Sequence, residues 1–523
     1  MRAVPDDVFI DNIAFTPFKV AMAIKRLKAG KSCGPDGYPP FLFKKLAPSL
    51  AEPLSLVYSA FMSVGRIPSA WTRAIVTPVF KRGNAADVGN YRPISLTSIA
   101  CKLMERIIST DMLHYLRTQN VISKHQHGFL SGRSTNTNLL ETLNDWTLAI
   151  KNKQSVVVAY IDYSKAFDCV SRNKLLIKLS AYGITGNLLQ WIDSFLSNRT
   201  QQTRVGSSLS DMISLASGVV QGSVIGPLLF LLFINDVGDL LCGDRCTCKL
   251  YADDVKLYTT LCVDDDITLM QNRLNVLYTW SNTWQLNIST SKCATMQIHA
   301  VTDQCSNLHL NNIAITRAHE FKDLGVIIDE NLKFTSHINH AVAKASVRAC
   351  LIRKCFVSKD VPTLMLAFKT YVRPILEYAS CVWSPTYTAA IKLIESVQRK
   401  FTKRLPGYTH LDYASRLRRL KVESLELRRL HSDLILTYKM LFGLTSIPAS
   451  DFFSIPNHTH NTRGHAYKLF ENHCRINVRQ HFFAERVIKP WNSLRVTPRD
   501  FNSVNSFKTC LLANDLREFL VFT

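Results

Sequence analysis

The chain has 523 residues, 47% of them hydrophobic and 10% aromatic, which is material for about three or four folded modules and excludes a disordered polypeptide. Lys and Arg number 63 against 40 Asp and Glu, and the net charge of +23 points to a polyanionic partner. No signal peptide is visible, because Asp6, Asp7 and Asp11 follow Met1. The longest apolar run, Pro227–Ile234, is too short to span a bilayer, so an intracellular protein is expected.

In chain order, Phe18 to Lys28 has helical spacing and ends at Gly30, ahead of the turn Cys33-Gly34-Pro35-Asp36-Gly37. Leu50 to Val64 reads as a helix with Ser49 as N-cap and Pro53 in its first turn. A strand from Ala74 to Phe80 leads into the basic turn Lys81-Arg82-Gly83-Asn84, then Asn90 to Leu96, then an amphipathic helix from Ile99 to Leu116. Ser134 and Thr135 are placed to cap a helix from Thr137 onward. Val156 to Ile161 is a fully apolar strand closed by Asp162. Helices follow at Lys174–Ala181 and Leu188–Leu196, and Pro227 opens a buried helix through Asp236. A strand-turn-strand surrounds Tyr251-Ala252-Asp253-Asp254. A helix through Ile267, Met270, Leu274, Leu277 and Trp284 comes next, and then a strand from Cys293 to Ile298. From Phe334 the pattern turns helical: His337–Phe356, Val361–Val372 and Ala389–Arg404, broken at Pro362, Pro374, Pro385 and Pro406. Tyr408 to Thr523 is basic and mostly helical, with a polar loop from Ser454 to Gly464. Between Ala341 and Thr523, 29 Lys and Arg face 13 Asp and Glu, so +16 of the +23 lies in the last third.

None of the 14 cysteines forms a C-x-x-C pair. Cys242, Cys246 and Cys248 lack the spacing of common zinc sites and are expected to be ordinary thiols. His458, His460, His465, His473 and Cys474 read as a solvated loop.

The chemistry is concentrated in acids. Asp253 and Asp254 occupy a turn, and Asp162 ends a strand about 90 residues earlier. If the two strands lie side by side, three carboxylates crowd together. Their mutual repulsion destabilises the fold unless cations intervene. In a basic chain, such a cluster suggests two-metal chemistry on phosphates.

The ordered series of motifs resembles the reverse transcriptases of non-LTR (LINE-type) retrotransposons, nearest the jockey-like branch. It runs Gly34-Pro35-Asp36-Gly37, Arg92-Pro93-Ile94-Ser95-Leu96, Gln126-His127-Gly128-Phe129, Asp162 through Ala166-Phe167-Asp168, Gln221-Gly222-Ser223, Gly226 through Phe230, and Tyr251-Ala252-Asp253-Asp254. Leu324-Gly325-Val326, Tyr371 through Tyr378 and Trp491-Asn492-Ser493-Leu494 complete it. The resemblance implies an α+β right-hand polymerase: N-terminal extension and fingers at 1–150, palm at 151–335, helical thumb at 336–406 and a basic, mostly helical C-terminal domain at 407–523. The implied activity is extension of a DNA primer or target-DNA 3′-end with dNTPs on an RNA template, in the nucleus or a cytoplasmic ribonucleoprotein and without a membrane.

By the same resemblance, Asp162, Asp253 and Asp254 are the catalytic and metal-binding acids, holding Mg²⁺, with Mn²⁺ as the alternative; hard oxygen ligands suit either ion. Phe167 is the steric gate beneath the sugar. Lys165 and Ala166 offer backbone N–H groups to the triphosphate, and Gln221 and Gly222 line the nucleotide pocket, although Val220 stands where the family has proline. Arg92, with Lys81 and Arg82, supplies fingers cations. Lys292 is the lysine near the leaving pyrophosphate. Leu324-Gly325-Val326 is a primer-grip-like hairpin, and Arg399, Lys400, Lys403 and Arg404 are positioned to track duplex phosphates. Trp383, Trp491 and Phe482-Phe483 are expected in the core. The chain starts about 30 residues before Gly34, too few for the endonuclease domain that precedes the family's polymerase, so nicking is expected to come from elsewhere. Two other readings compete. One is a viral-type RNA-dependent RNA polymerase, disfavoured by Ala252 and Phe167. The other is a catalytically idle nucleic-acid-binding remnant.

Overall fold

The computed structural model describes residues 4–81, 83–243, 245–262, 265–300, 308–455 and 465–521. Arg82, His458 and His460 lie outside the described residues. The fold is mixed α/β with an extended helical C-terminal half.

Strand β1 (Arg73–Phe80) pairs antiparallel with β2 (Tyr91–Leu96), which sets Arg92 opposite Val79. Strand β3 (Ser155–Ile161) belongs to a second sheet, considered below. Strand β4 (Thr200–Val205) adds to the other edge of β1 in parallel, Arg73 opposite Thr200. Its sequence, Thr-Gln-Gln-Thr-Arg-Val, carries no apolar alternation, because four of its residues are partly exposed, two are exposed and none is fully buried.

The second sheet contains β5 (Cys246–Tyr251), β6 (Asp254–Leu261), β7 (Ala294–Ile298) and β8 (Thr316–Arg317) in the order β8-β7-β3-β6-β5. At its centre, all seven residues of β3 are buried. Side chains alternate across a strand, so Val157, Ala159 and Ile161 enter one core while Val156, Val158 and Tyr160 enter another. This is why the run reads as continuously apolar rather than alternating. β3 is antiparallel to β6, and the register ends at Ile161 opposite Val255. The next step brings Asp162 level with Asp254.

The first core holds the helices Ile99–Thr118, Gly226–Leu241 and Asp265–Trp284. Gly226–Leu241 starts with Pro227 in its first turn, as expected, and is buried along nearly its whole length. The helix predicted from Leu50 begins instead at Ala47, with Pro48 in its first turn. Ser49 is therefore inside the helix and Pro53 is an internal proline. The second core joins Thr135–Lys151 to the helices Thr335–Cys355, Val361–Tyr371, Thr388–Lys403 and Leu425–Leu441. Ser134 caps Thr135–Lys151 through a reciprocal capping box with Thr137. Trp383, Phe482, Phe483 and Trp491 are all buried in this core, as expected. Residues on both sides of 406 therefore share one apolar interior. A polar tie adds to it: Arg479 Nη1 donates to Asn144 Oδ1 at 2.8 Å and Thr147 Oγ1 at 3.1 Å. Two antiparallel strands, β9 (Glu320–Asp323) and β10 (Val326–Asp329), form a separate hairpin. Among the described residues, no helix is long and apolar enough to cross a membrane.

Because Val157 and Val158 anchor different cores, Val157→Ala and Val158→Ala should each lower the unfolding free energy by about 2 kcal/mol, read from urea titration. A strand with one solvent face would show the loss at only one of the two.

Candidate active site

The carboxylates are presented by a two-residue turn. Tyr251 pairs with Asp254, leaving Ala252 and Asp253 as the loop. Ala252 has φ 56°, a left-handed conformation that a side chain disfavours. Its support comes from Gln126-His127-Gly128. The buried Gln126 side chain accepts from Gly128 N at 2.7 Å and from Ala252 N at 2.9 Å. His127 N donates to Leu250 O at 2.8 Å. A Cβ on Gly128 would stand 2.5 Å from Ala252 N, so only glycine lets this segment lie against the turn. Sequence reading flagged these residues as a motif but assigned them no role.

Beneath the turn, His127 bridges Thr137 Oγ1 at 3.0 Å and Glu141 Oε2 at 3.4 Å, and Lys249 also pairs with Glu141. Burial alone would raise the Glu141 carboxyl, but the His127 and Lys249 contacts outweigh it and bring it down to about 2.

Asp162, Asp253 and Asp254 line one cleft of about 1100 Å³. Burial raises Asp253, the charge of Asp162 adds to the rise, and Arg92 and Lys292 oppose it. Burial also raises Asp254, to about 7, with Asp253, Asp323 and Asp162 adding to the effect. Lys292 Nζ, on a largely exposed side chain, lies 3.2 Å from Asp162 Oδ2. Ser289 N donates to Asp162 O at 2.8 Å, which fixes the segment carrying Lys292 beside the acid.

The two adjacent acids have different charged neighbours. Asp253 feels Arg92 and Lys292, whereas Asp254 feels Asp323 and Lys256. Lys81 and Lys165 both act on Asp168, whose carboxyl is raised by burial. Lys81, Arg92, Lys165, Ala166, Phe167, Gln221 and Lys292 all line the cleft with the three acids. The Lys165 turn is closed by Asp168 N and Cys169 N donating to Lys165 O, with Lys165 at φ 48°. Phe167 stacks on Phe230 at 4.3 Å and meets Phe129 edge-on at 6.4 Å, a stiff apolar floor. Gly222 (φ 121°) lies behind the wall: a Cβ there would stand 2.4 Å from Ser95 O, and Ser95 N donates to Gln221 O at 2.8 Å. It thus fastens the Gln221 loop to β2, the strand that carries Arg92. Val220 is buried in the first core.

Sequence reading also passed over Lys256 and Asp323, a buried ion pair on the Asp254 side that joins β6 to the β9 strand. Lys256 is a lone cation in an apolar strand, whereas Asp323 follows Glu320 and Lys322 and in sequence looks like solvated surface. The only available signal was Lys256 within an otherwise buried strand.

Comparison with known proteins places much of the chain within a family. Residues 79–328 match the family model for reverse transcriptase (RNA-dependent DNA polymerase), so the chain carries a reverse transcriptase domain. More particularly, it is similar to the polymerases of jockey-type mobile elements. It is 28% identical over 406 residues to the RNA-directed DNA polymerase from mobile element jockey of Drosophila melanogaster, covering 75% of this chain and 44% of that protein. The jockey polymerase of Drosophila funebris is 26% identical over 414 residues (75% and 45%). The probable RNA-directed DNA polymerase from transposon X-element of Drosophila melanogaster is 25% identical over 402 residues (75% and 44%). The chain spans less than half the length of these relatives.

The acids fit a divalent cation chemically, since they are hard oxygen donors whose crowded charge Lys292 and Arg92 offset only in part. Among the described residues, no three His, Cys, Asp or Glu side chains close into a preformed metal cage. That suits an ion held by one or two carboxylates together with substrate phosphates.

The raised Asp254 has a pH consequence. An unfolded aspartate ionises near 3.9 and folded Asp254 at about 7, so the folded chain binds the extra proton between those values. Stability from this group is full below about pH 4 and falls as pH rises to about 7. In metal-free buffer, Asp254→Asn should raise the melting temperature more at pH 8 than at pH 5. Divalent cation should raise the wild-type melting temperature at pH 8 more than the variant's.

Proposed function

We propose that this chain is the RNA-directed DNA polymerase of a jockey-like non-LTR retrotransposon, a right-hand enzyme of fingers, palm and thumb that extends a DNA 3′-end on an RNA template. The observation that carries the reading is the single cleft in which Asp162, Asp253 and Asp254 face Arg92, Lys81 and Lys165. Mg²⁺ bound among the three acids together with the substrate phosphates would supply charge neutralisation and a more acidic primer hydroxyl. Arg92, Lys81 and Lys165 take the triphosphate, where a guanidinium fork matches phosphate oxygens. Lys292, beside Asp162, is placed to stabilise or protonate the departing pyrophosphate. Phe167, stiffened by Phe230 and Phe129, gives a 2′-hydroxyl neither room nor a hydrogen-bond partner, which favours dNTPs.

The helix Thr388–Lys403 and the helix Tyr413–Leu420 support duplex binding. They are braced by buried Glu395, Gln398, Thr402 and Arg416, and they expose Lys400, Lys403, Arg404, Arg418, Arg419 and Lys421. Exposed cations of this kind bind phosphate backbones without sequence preference.

Primer extension on an RNA template tests the reading. With Mg²⁺ and dNTPs the wild type should synthesise DNA, and Asp253→Ala/Asp254→Ala should lose about a thousandfold or more. Phe167→Ala should cut the preference for dNTPs over NTPs by about tenfold or more. Primer–template binding without synthesis by the wild type would favour the idle-remnant reading instead. Separately, Lys400→Ala/Lys403→Ala should reduce the slope of log affinity against log salt by about 2, measured by fluorescence anisotropy.

A further inference from the structure

Glu105, on the helix Ile99–Thr118, is a fully buried acid within an otherwise apolar core. A buried carboxylate is costly unless donors surround it. Its donors are backbone amides from another element: Oε2 accepts from Val224 N at 2.6 Å and from Ile225 N at 3.1 Å. Arg199 and Lys102 both feel its charge, and Arg199 is buried as well, donating to Phe195 O at 2.7 Å.

Those two amides stand at the start of the helix Gly226–Leu241. Its N-cap residue is Ile225, whose apolar side chain makes no capping bond. Ser223 Oγ accepts from Gly226 N at 3.0 Å, and Pro227 has no N–H to satisfy. Glu105 therefore supplies the missing cap from a second helix, and its charge faces the positive end of a 16-residue helix.

The cap lies just beyond Gln221, which lines the cleft, whereas Glu105 itself does not. Val220 and Gly222, on either side of Gln221, leave its backbone unlocked: valine does not fix φ as proline does, and glycine is freer still. The direction of Gln221 thus depends on what holds the loop from outside. Val219 N donates to Phe167 O at 2.8 Å, Ser95 N donates to Gln221 O at 2.8 Å, and Ser223 Oγ donates to Val220 O at 2.8 Å. Glu105 is the tie on the C-terminal side of the loop, and the only one of these that carries a charge. We propose that Glu105 is a positioning residue for Gln221: by fixing Val224 and Ile225, it sets where the Gln221 side chain meets the incoming dNTP. This inference rests on the polymerase reading and adds to its nucleotide pocket a residue that lies outside the cleft.

The test uses the purified full chain, a DNA primer annealed to an RNA template, and dNTPs. Glu105→Gln keeps the size and an acceptor oxygen but removes the charge. It should raise the KM for dNTP about fivefold, the difference between a charged and a neutral acceptor, and leave the KM for primer–template unchanged. Glu105→Asp keeps the charge but falls a methylene short of the amides, and should raise the KM for dNTP about tenfold. Gln221→Ala should raise the same constant. Because Glu105 acts through Gln221, the double variant Glu105→Gln/Gln221→Ala should be no worse than Gln221→Ala alone. A Glu105→Gln chain that melts earlier with a wild-type KM for dNTP has lost a purely structural contact, which overturns the proposal. An equal rise in both KM values, additive effects in the double variant, or failure of both Glu105 variants to fold would overturn it too. An inert wild type would overturn the polymerase reading, and this inference with it.

Discussion

The constraint on which the rest of the structure depends is the forced proximity of three carboxylates. Asp162 ends a strand whose seven residues are all buried, and Asp254 opens the neighbouring strand in register with it. Neither strand can slide without moving every side chain to the wrong core. Apolar burial on both faces of β3 thus holds like charges together against their repulsion. The cost of that repulsion appears at Asp254, which burial and the neighbouring carboxylates Asp253, Asp323 and Asp162 push to about 7. A site whose negative charge is only partly compensated is ready for a cation that arrives with its substrate.

The backbone repeats this pattern. Lys165 (φ 48°), Ala252 (φ 56°) and Leu324 (φ 44°) are non-glycine residues in the left-handed region, and each belongs to a different loop around the cleft. Each is restrained by its neighbours: Lys165 O by two amides, Ala252 N by Gln126, Leu324 O by Tyr378. The glycines do complementary work, since Gly128 and Gly222 allow backbone to pack directly on Ala252 and Ser95.

Much of this was legible in the sequence, for identifiable reasons. The β3 strand, the Asp253-Asp254 turn, the Ser134 cap and the buried helix behind Pro227 all follow from local chemistry, and the structure has each of them. The parallel pairing of β4 with β1 was not legible, because a polar, half-exposed strand leaves no periodic signal. The Lys256–Asp323 pair was hidden because a charge that finds its partner 67 residues away looks, one residue at a time, like solvated surface. The start of the helix Ala47–Ser63 was misread because Ser49 resembled a cap, while Pro48 had already fixed the first turn one residue earlier. The shared interior of the segments before and after 406 was equally invisible, since apolar faces in sequence do not declare their partners.

That shared interior bears on how the cleft is held. Tyr378 stands where the hairpin tip, the Thr135 helix and the C-terminal helices meet, and Glu377 pairs with Arg428 on Leu425–Leu441. Arg479 ties the same Thr135 helix to the far end of the chain. The helix also carries Glu141, whose contacts with His127 and Lys249 underlie the catalytic turn. One helix therefore receives restraints from the C-terminal half and passes them to the Ala252–Asp253 turn. The C-terminal half then bears on the geometry of the acids, although among the described residues none beyond Leu324 lines their cleft.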